Sequence, residues 1–161
     1  MIGLERFLDV FEAGHVEFIV IGGIAARVHG SGRITQDVDV VYARSDANLE
    51  RIVKALGPFK PYLRGAPPGL PFEWSAKTLK AGLNFTLITS LGPVDILGEV
   101  AGGGRYEDLL EHCETHAMFG HRTLVVSLPW LIHLKRSAGR TRDFEAIAEL
   151  ELIRDVDRSK V

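Results

Sequence analysis

One cysteine, Cys113, is all that 161 residues contain, so no disulfide can form within the chain. Long hydrophobic runs are also missing. The longest uncharged apolar stretches, Phe18 to Ala26 and Leu124 to Leu134, are too short to cross a bilayer. Neither sign of charge dominates: 19 basic against 21 acidic residues leave a net charge of −2, which by itself points to neither nucleic acid nor a membrane surface. No basic segment followed by an apolar stretch opens the chain, so a reducing cytoplasm is the expected compartment and no membrane partner is expected. Repeats, heptads and low-complexity tails are absent too, which excludes solenoid and coiled-coil architectures. Lysine is scarce, at six against thirteen arginines. That bias favours the residue whose planar fork suits phosphate or carboxylate.

What is present is ordinary for a folded domain: 46% hydrophobic and 25% charged residues, in a chain of 17.7 kDa. Such a mass folds to roughly 8,000 Å² of surface, enough burial for a core without covalent staples. Leu4, Phe7, Leu8 and Phe11 fall at helical spacing before Gly14. A strand over Val16 to Ile21 then runs into Gly22-Gly23, and a short helix follows to Gly30. Asp37 to Tyr42 reads as a strand, and Ser45 as the N-cap of a helix carrying Leu49, Ile52, Val53 and Leu56, stopped by Gly57-Pro58. Five of the seven prolines lie between Pro58 and Pro71, so 58–71 reads as a semi-rigid loop outside the core. Leu83 to Thr89 and Val94 to Leu97 read as strands, and Gly102-Gly103-Gly104 as a flexible joint. Tyr106, Leu109, Leu110 and Cys113 have helical spacing, followed by a hairpin of Thr115 to Phe119 with Arg122 to Val126. Ser127 caps a helix through Arg136, Gly139 ends it, and Thr141 caps another reaching about Arg154. The expectation is a mixed α/β core over 1–126 and a C-terminal helical hairpin over 127–161, packed as a single compact unit.

The chemistry concentrates at Ile21-Gly22-Gly23 and, after thirteen intervening residues, Asp37-Val38-Asp39-Val40. Alternation puts Asp37 and Asp39 on one face of a strand and the valines on the other. Two like charges on one face resist ionisation unless a cation offsets them, and Mg²⁺ with hard oxygen ligands does so. Glycines without Cβ let a phosphate chain approach the backbone where a helix begins. Asp95, in Val94-Asp95-Ile96, has the same apolar brackets, as expected if its strand lies beside Asp39. Three acids and a phosphate cradle suit transfer assisted by two metal ions.

These residues resemble the nucleotidyltransferase superfamily: an apolar residue and Gly22-Gly23, a gap of this length, Asp37-Val38-Asp39-Val40, and a later Asp95. Ala25, His29-Gly30, Arg33 and Thr35 are similar to the small prokaryotic branch that holds minimal nucleotidyltransferases and AbiEii-type toxins. The resemblance implies a nucleotidyltransferase-like mixed sheet flanked by helices. Asp37, Asp39 and Asp95 are then the catalytic residues and the ligands of two Mg²⁺ ions, with Asp95 helping to deprotonate the acceptor. Gly22 and Gly23 are implied to hold the β- and γ-phosphates of a nucleoside triphosphate. One departure stands out, because many relatives carry serine where this chain has Gly23. A second cluster, Lys135, Arg136, Arg140, Arg142 and Asp143, resembles the toxin-type pattern, which places Lys135 on the triphosphate with Asp143 and Arg33 as further nucleotide-binding residues. Lys135 also falls on the apolar helix face by period, an inward lysine in need of a partner.

The implied reaction is transfer of a nucleoside monophosphate to a hydroxyl of RNA, a protein or a small molecule, with tRNA or a protein acceptor as the named possibilities. The alternatives are a non-catalytic nucleotide-binding module and a toxin-antitoxin interaction protein with an antitoxin-type partner chain or a second copy. Arg33 has a surface ion pair as its competing role. His112, Cys113, His116 and His121 do not reproduce a zinc-finger spacing. Lys60, Arg64 and Trp74 read as acceptor contacts or as a solvated rim with one packed aromatic.

Overall fold

The computed structural model describes residues 2–160. Helix α1 (Leu4–Ala13) buries Phe7, Leu8 and Phe11 completely. Each contributes about 1.5–3 kcal/mol of apolar burial. Phe7 and Phe11 meet Phe18 edge-on, with ring centroids 6.3 and 5.2 Å apart, which seats the helix on strand β1 (Phe18–Ile21). Helix α2 (Gly22–Val28) follows with no intervening loop. Strand β2 (Val38–Tyr42) leads to α3 (Asp46–Leu56), whose N-cap Ser45 accepts a hydrogen bond from the Asn48 amide, a cap worth about 1 kcal/mol.

The remaining elements are β3 (Tyr62–Leu63), α4 (Ala76–Ala81), β4 (Asn84–Thr89), β5 (Gly92–Leu97), α5 (Tyr106–Leu109), β6 (Cys113–Met118), β7 (His121–Val126), α6 (Leu128–Ala138) and α7 (Phe144–Ser159). Seven strands form one mixed sheet in the order β3-β4-β5-β2-β1-β7-β6. The pairs β2/β5 and β1/β7 are parallel, and the others are antiparallel. Val20, Val38, Val40, Val94 and Ile96 are wholly buried, so the strands that carry the acids are anchored in the centre of the core. Helices α6 and α7 are joined by an ion pair of Arg136 with Glu151. Among the described residues no helix is long and apolar enough to cross a membrane.

Several details differ from expectation. The proline-rich segment is not wholly outside the sheet, because Tyr62 and Leu63 pair with Ile88 and Leu87 as the edge strand β3. Helix α4, one and a half turns capped by Ser75, is too short to show a hydrophobic period. The triple glycine is no flexible joint. A Cβ on Gly102 or Gly103 would lie 2.1 Å from Ser137 Oγ or 2.6 Å from Leu134 Cδ2, so the turn is wedged against α6. Cys113 begins strand β6 instead of extending a helix. The helical pattern breaks after Leu109, whose carbonyl accepts from the Cys113 thiol. Helix α7 begins at Phe144, after a 3₁₀ turn over Thr141–Asp143, and continues past Arg154 to Ser159.

Candidate active site

Ladder register assembles the acids. Asp39 on β2 lies opposite Ile21 at the end of β1 on one side and opposite Asp95 on β5 on the other. Residues directly opposite share a face, so both carboxylates leave the sheet side by side. Asp37, just before β2, completes the set: one carboxylate oxygen from each of Asp37, Asp39 and Asp95 lies within 4.8 Å of the others. Burial, followed by hydrogen bonding to Asp95 and the charges of Asp37 and Asp95, pushes the Asp39 carboxyl from 3.8 up to about 8, with Lys135 opposing. Burial also raises Asp95, while its hydrogen bond with Asp39 and the Arg64 guanidinium act to lower it. The pair thus retains a proton that isolated carboxyl groups would release at neutral pH.

The glycine corner fits this cluster closely. Gly22 has φ +66°, and a Cβ on it would fall 2.2 Å from Asp39 Oδ2. Only glycine meets both demands. Gly23 has a different neighbour: its Cβ would fall 2.6 Å from the hydroxyl of Thr35. A serine at 23 would collide with that group. Thr35 Oγ1 in turn donates to the Asp37 carbonyl at 3.1 Å and approaches Asp37 Oδ1 at 3.4 Å, which steadies the loop before β2. A hydroxyl therefore does stand beside Gly23, delivered from position 35.

Arg64 is the residue whose part was least visible in the sequence. It follows β3, donates through Nε and Nη2 to the Leu87 carbonyl at 3.2 and 2.7 Å, and reaches Asp95 Oδ1 at 2.7 Å and Asp37 Oδ2 at 3.8 Å. Of the other rim residues, Trp74 is a packed aromatic donating to the Val53 carbonyl at 3.0 Å, and Lys60 is exposed. The available signal was an arginine immediately after the Pro61-Tyr62-Leu63 edge segment, and a two-residue strand gives no period from which to read its direction.

Lys135 points inward as its period implies. It is nearly buried, 3.8 Å from Asp143 Oδ1, and Asp143 also accepts from Arg140 Nε at 2.7 Å. Asp143 thus holds two cations on the acidic side of α6 and α7. Lys135, Arg140, Glu99 and Gly22 share a cavity of about 280 Å³ with apolar walls from Leu97 and Leu131. A smaller cavity on the other side of Lys135, of about 120 Å³, is bordered by Gly23, Arg33 and Thr35. Arg33 is already engaged there by Glu145 at 3.4 Å and Glu149 at 3.9 Å of α7.

The four residues with zinc-like chemistry between 112 and 121 do not converge. His112 stacks on Trp130 at 3.7 Å, His121 binds Asp9 at 2.8 Å, and the Cys113 thiol is raised to about 11 by burial and by Glu114.

No family model and no curated protein matches the chain. Solved structures do. A candidate nucleotidyltransferase from Thermotoga maritima superposes with a TM-score of 0.58 at 17% identity, over 92% of this chain and 94% of that one. The fold is that of the nucleotidyltransferases. ANT(2″)-Ia, solved in complex with adenylyl-2″-tobramycin, superposes at 0.57 with 12% identity, over 98% and 95% of the two chains. A solution structure of the same antibiotic-resistance factor gives 0.51 and 17%, over 98% and 90%. These nucleotidyltransferase-fold neighbours superpose along nearly the whole of this chain, in keeping with the expected mixed sheet flanked by helices. The finer placement beside AbiEii-type toxins is carried by motif resemblance alone.

Proposed function

We propose that the protein is a nucleotidyltransferase that moves a nucleoside monophosphate from a triphosphate to an acceptor hydroxyl. The observation that carries this reading is the convergence of the Asp37, Asp39 and Asp95 carboxylates on the side chain of Asp39 that Gly22 leaves room for. Three oxygen donors with no nitrogen or sulfur among them suit Mg²⁺. Their fit to a divalent cation is supported by the guanidinium of Arg64, which is drawn to Asp95 at 2.7 Å and to Asp37 at 3.8 Å by the negative charge gathered there. Asp37, Asp39 and Asp95 would hold two such ions, which when bound offset charge on the α-phosphate and the departing pyrophosphate.

The chain's own residues have separable tasks. The main chain at Gly22 and Gly23, with the Thr35 hydroxyl beside it, receives the β- and γ-phosphates. Lys135, oriented by Asp143, and Arg140 neutralise the triphosphate, and the cavity they border holds part of the nucleoside. Arg33 must leave Glu145 and Glu149 to join them. Asp95 takes the acceptor proton as the acceptor oxygen bonds to the α-phosphorus and the bond from that phosphorus to pyrophosphate breaks. Arg64 withdraws from Asp95 as the acids take up metal. A small molecule is the first acceptor class to try, because ANT(2″)-Ia was solved with a nucleotidylated aminoglycoside; tRNA and protein are the others.

A second reading, an interaction protein with an antitoxin-type partner or a second copy, is favoured by one observation: Phe144, Leu152 and Val156 are exposed on α7. Incubation with labelled triphosphates, Mg²⁺ and, in turn, aminoglycosides, tRNA and cell extract separates the readings. Transfer that Asp39→Asn abolishes supports the enzyme. Triphosphate binding without transfer to any acceptor would leave a nucleotide-binding module, and neither binding nor transfer together with co-purification of a chain encoded beside it would leave the interaction protein.

A further inference from the structure

A second cluster of metal-ligating groups lies at the other end of α2, away from the acids. His29 is the C-cap of that helix, and Glu114 and His116 are on the edge strand β6. One ligand atom from each lies within 4.8 Å of the others. The i, i+2 spacing puts Glu114 and His116 on one face of β6, with His116 Nε2 2.9 Å from Glu114 Oε2. The ring of His29 approaches that of His116 edge-on, with centroids 5.6 Å apart.

Two details make this more than a surface ion pair. His29 Nε2 is 2.7 Å from the Val126 carbonyl, which can only accept, so Nε2 carries the hydrogen and Nδ1 keeps its lone pair. A ring held by a backbone carbonyl through one nitrogen and free at the other is the usual state of a metal-binding histidine. The second detail is Thr123. It stands directly across the ladder from His116, on the same face, and its hydroxyl is buried with no hydrogen-bond partner. Its unpartnered oxygen thus lies on the face of the ladder that His116 and Glu114 share.

We infer that His29, Glu114 and His116 form a binding site for a borderline divalent metal ion such as Zn²⁺, separate from the carboxylate cluster. Two imidazoles and one carboxylate are a donor set for Zn²⁺ and its first-row neighbours, whereas Mg²⁺ prefers oxygen throughout. Tetrahedral ligation at about 2.0–2.1 Å sets neighbouring donors roughly 3.3 Å apart, so the three side chains need only small rotations to close around an ion. The groove beside them is also lined by Arg154, Asp157 and Arg158 of α7, with Arg154 turned to Asp155 at 3.3 Å, and the fourth position is left to water because Asp157 is not within 4.8 Å of the three donors. Bound metal would tie the end of α2 to the sheet edge and so brace the helix that begins at Gly22.

The test is competition for Zn²⁺ against a chromophoric chelator, using the full chain in excess Mg²⁺, followed by Co²⁺ substitution. The expected result is one Zn²⁺ per chain for wild type and for Asp39→Asn, with four-coordinate Co²⁺ bands in both. Affinity should fall more than about tenfold in His116→Ala and in Glu114→Gln. If His116→Ala does not fold, Glu114→Gln decides, because Glu114 is exposed and its loss leaves the core untouched. Absence of stoichiometric Zn²⁺ binding by wild type, unchanged affinity in Glu114→Gln, or loss of the ion in Asp39→Asn overturns the assignment.

Discussion

Helix α2 has a different donor chemistry at each of its ends. At Gly22 it meets two carboxylates on central strands and a third just before β2, and burial pushes the carboxyls of Asp39 and Asp95 upward. At His29 it meets an imidazole and a carboxylate on an edge strand, partly open to water. The acids owe their convergence to ladder register inside a packed core, so little can move them. The histidines owe theirs to the capping of a seven-residue helix and to one hydrogen bond with Val126. Buried register suits chemistry that demands fixed geometry, and an edge suits a brace that closes only when loaded.

The largest effect expected on this contrast is that of Asp39→Asn. Losing a carboxylate at the centre of the trio should lower nucleotidyl transfer by roughly a thousandfold, equivalent to about 4 kcal/mol of transition-state stabilisation, while Zn²⁺ binding at His29 stays at the wild-type level. Label transfer and chelator competition on the same preparation report both.

Gly22→Ala comes next. The added methyl must displace Asp39 and adopt a left-handed backbone, so urea unfolding should show a loss of about 1–3 kcal/mol together with reduced transfer. At the opposite end of α2, Gly30 also has a positive φ of +113°, but a Cβ there meets only Ile153 at 3.8 Å, so Gly30→Ala should cost stability through backbone strain without displacing an acid or reducing transfer.

Acidity sharpens the comparison further. The native Asp39 carboxyl titrates near 8 and the unfolded one near 3.8, so between those values the folded chain keeps a proton that the unfolded chain has lost. That stabilisation is complete below about 4 and is lost as pH rises to about 8. In chelator the melting temperature should therefore decline by about 4 °C or more over this range, and Asp39→Asn should flatten the decline. Mg²⁺ requires the ionised acids, so its stabilising effect should grow as pH rises.

Arg64→Gln carries the smallest effect and the least obvious sign. The guanidinium field disfavours a doubly charged ion more than a proton at the same carboxylates, so its removal should tighten Mg²⁺ binding by a factor of about three to ten. Calorimetric titration with Mg²⁺ at fixed pH measures this, and weaker binding would contradict the proposed withdrawal of Arg64.

Sequence patterns revealed the acid end of α2 far better than the histidine end. Asp39 and Asp95 are bracketed by β-branched residues, Asp37 stands directly before Val38, and strand alternation placed the acids on the face opposite the apolar anchors. The long helices were equally clear from Leu4, Phe7, Leu8 and Phe11 and from Leu128, Leu131 and Ile132. Arg64 was hidden because prolines mask the two-residue strand before it. His29 and His116 are 87 positions apart, joined only by the parallel pairing of β1 with β7 and the hairpin beyond it. Cys113 misled because helical spacing persisted one turn past the place where Leu109 ends the helix.

Thr35 bears on how such chains are compared. Its oxygen fills the volume that a side chain at 23 would otherwise claim, so a column-by-column tally scores a missing group that is physically there. Searches keyed to occupied space instead of to rank along the chain would recover members that carry the same atom on a different stem.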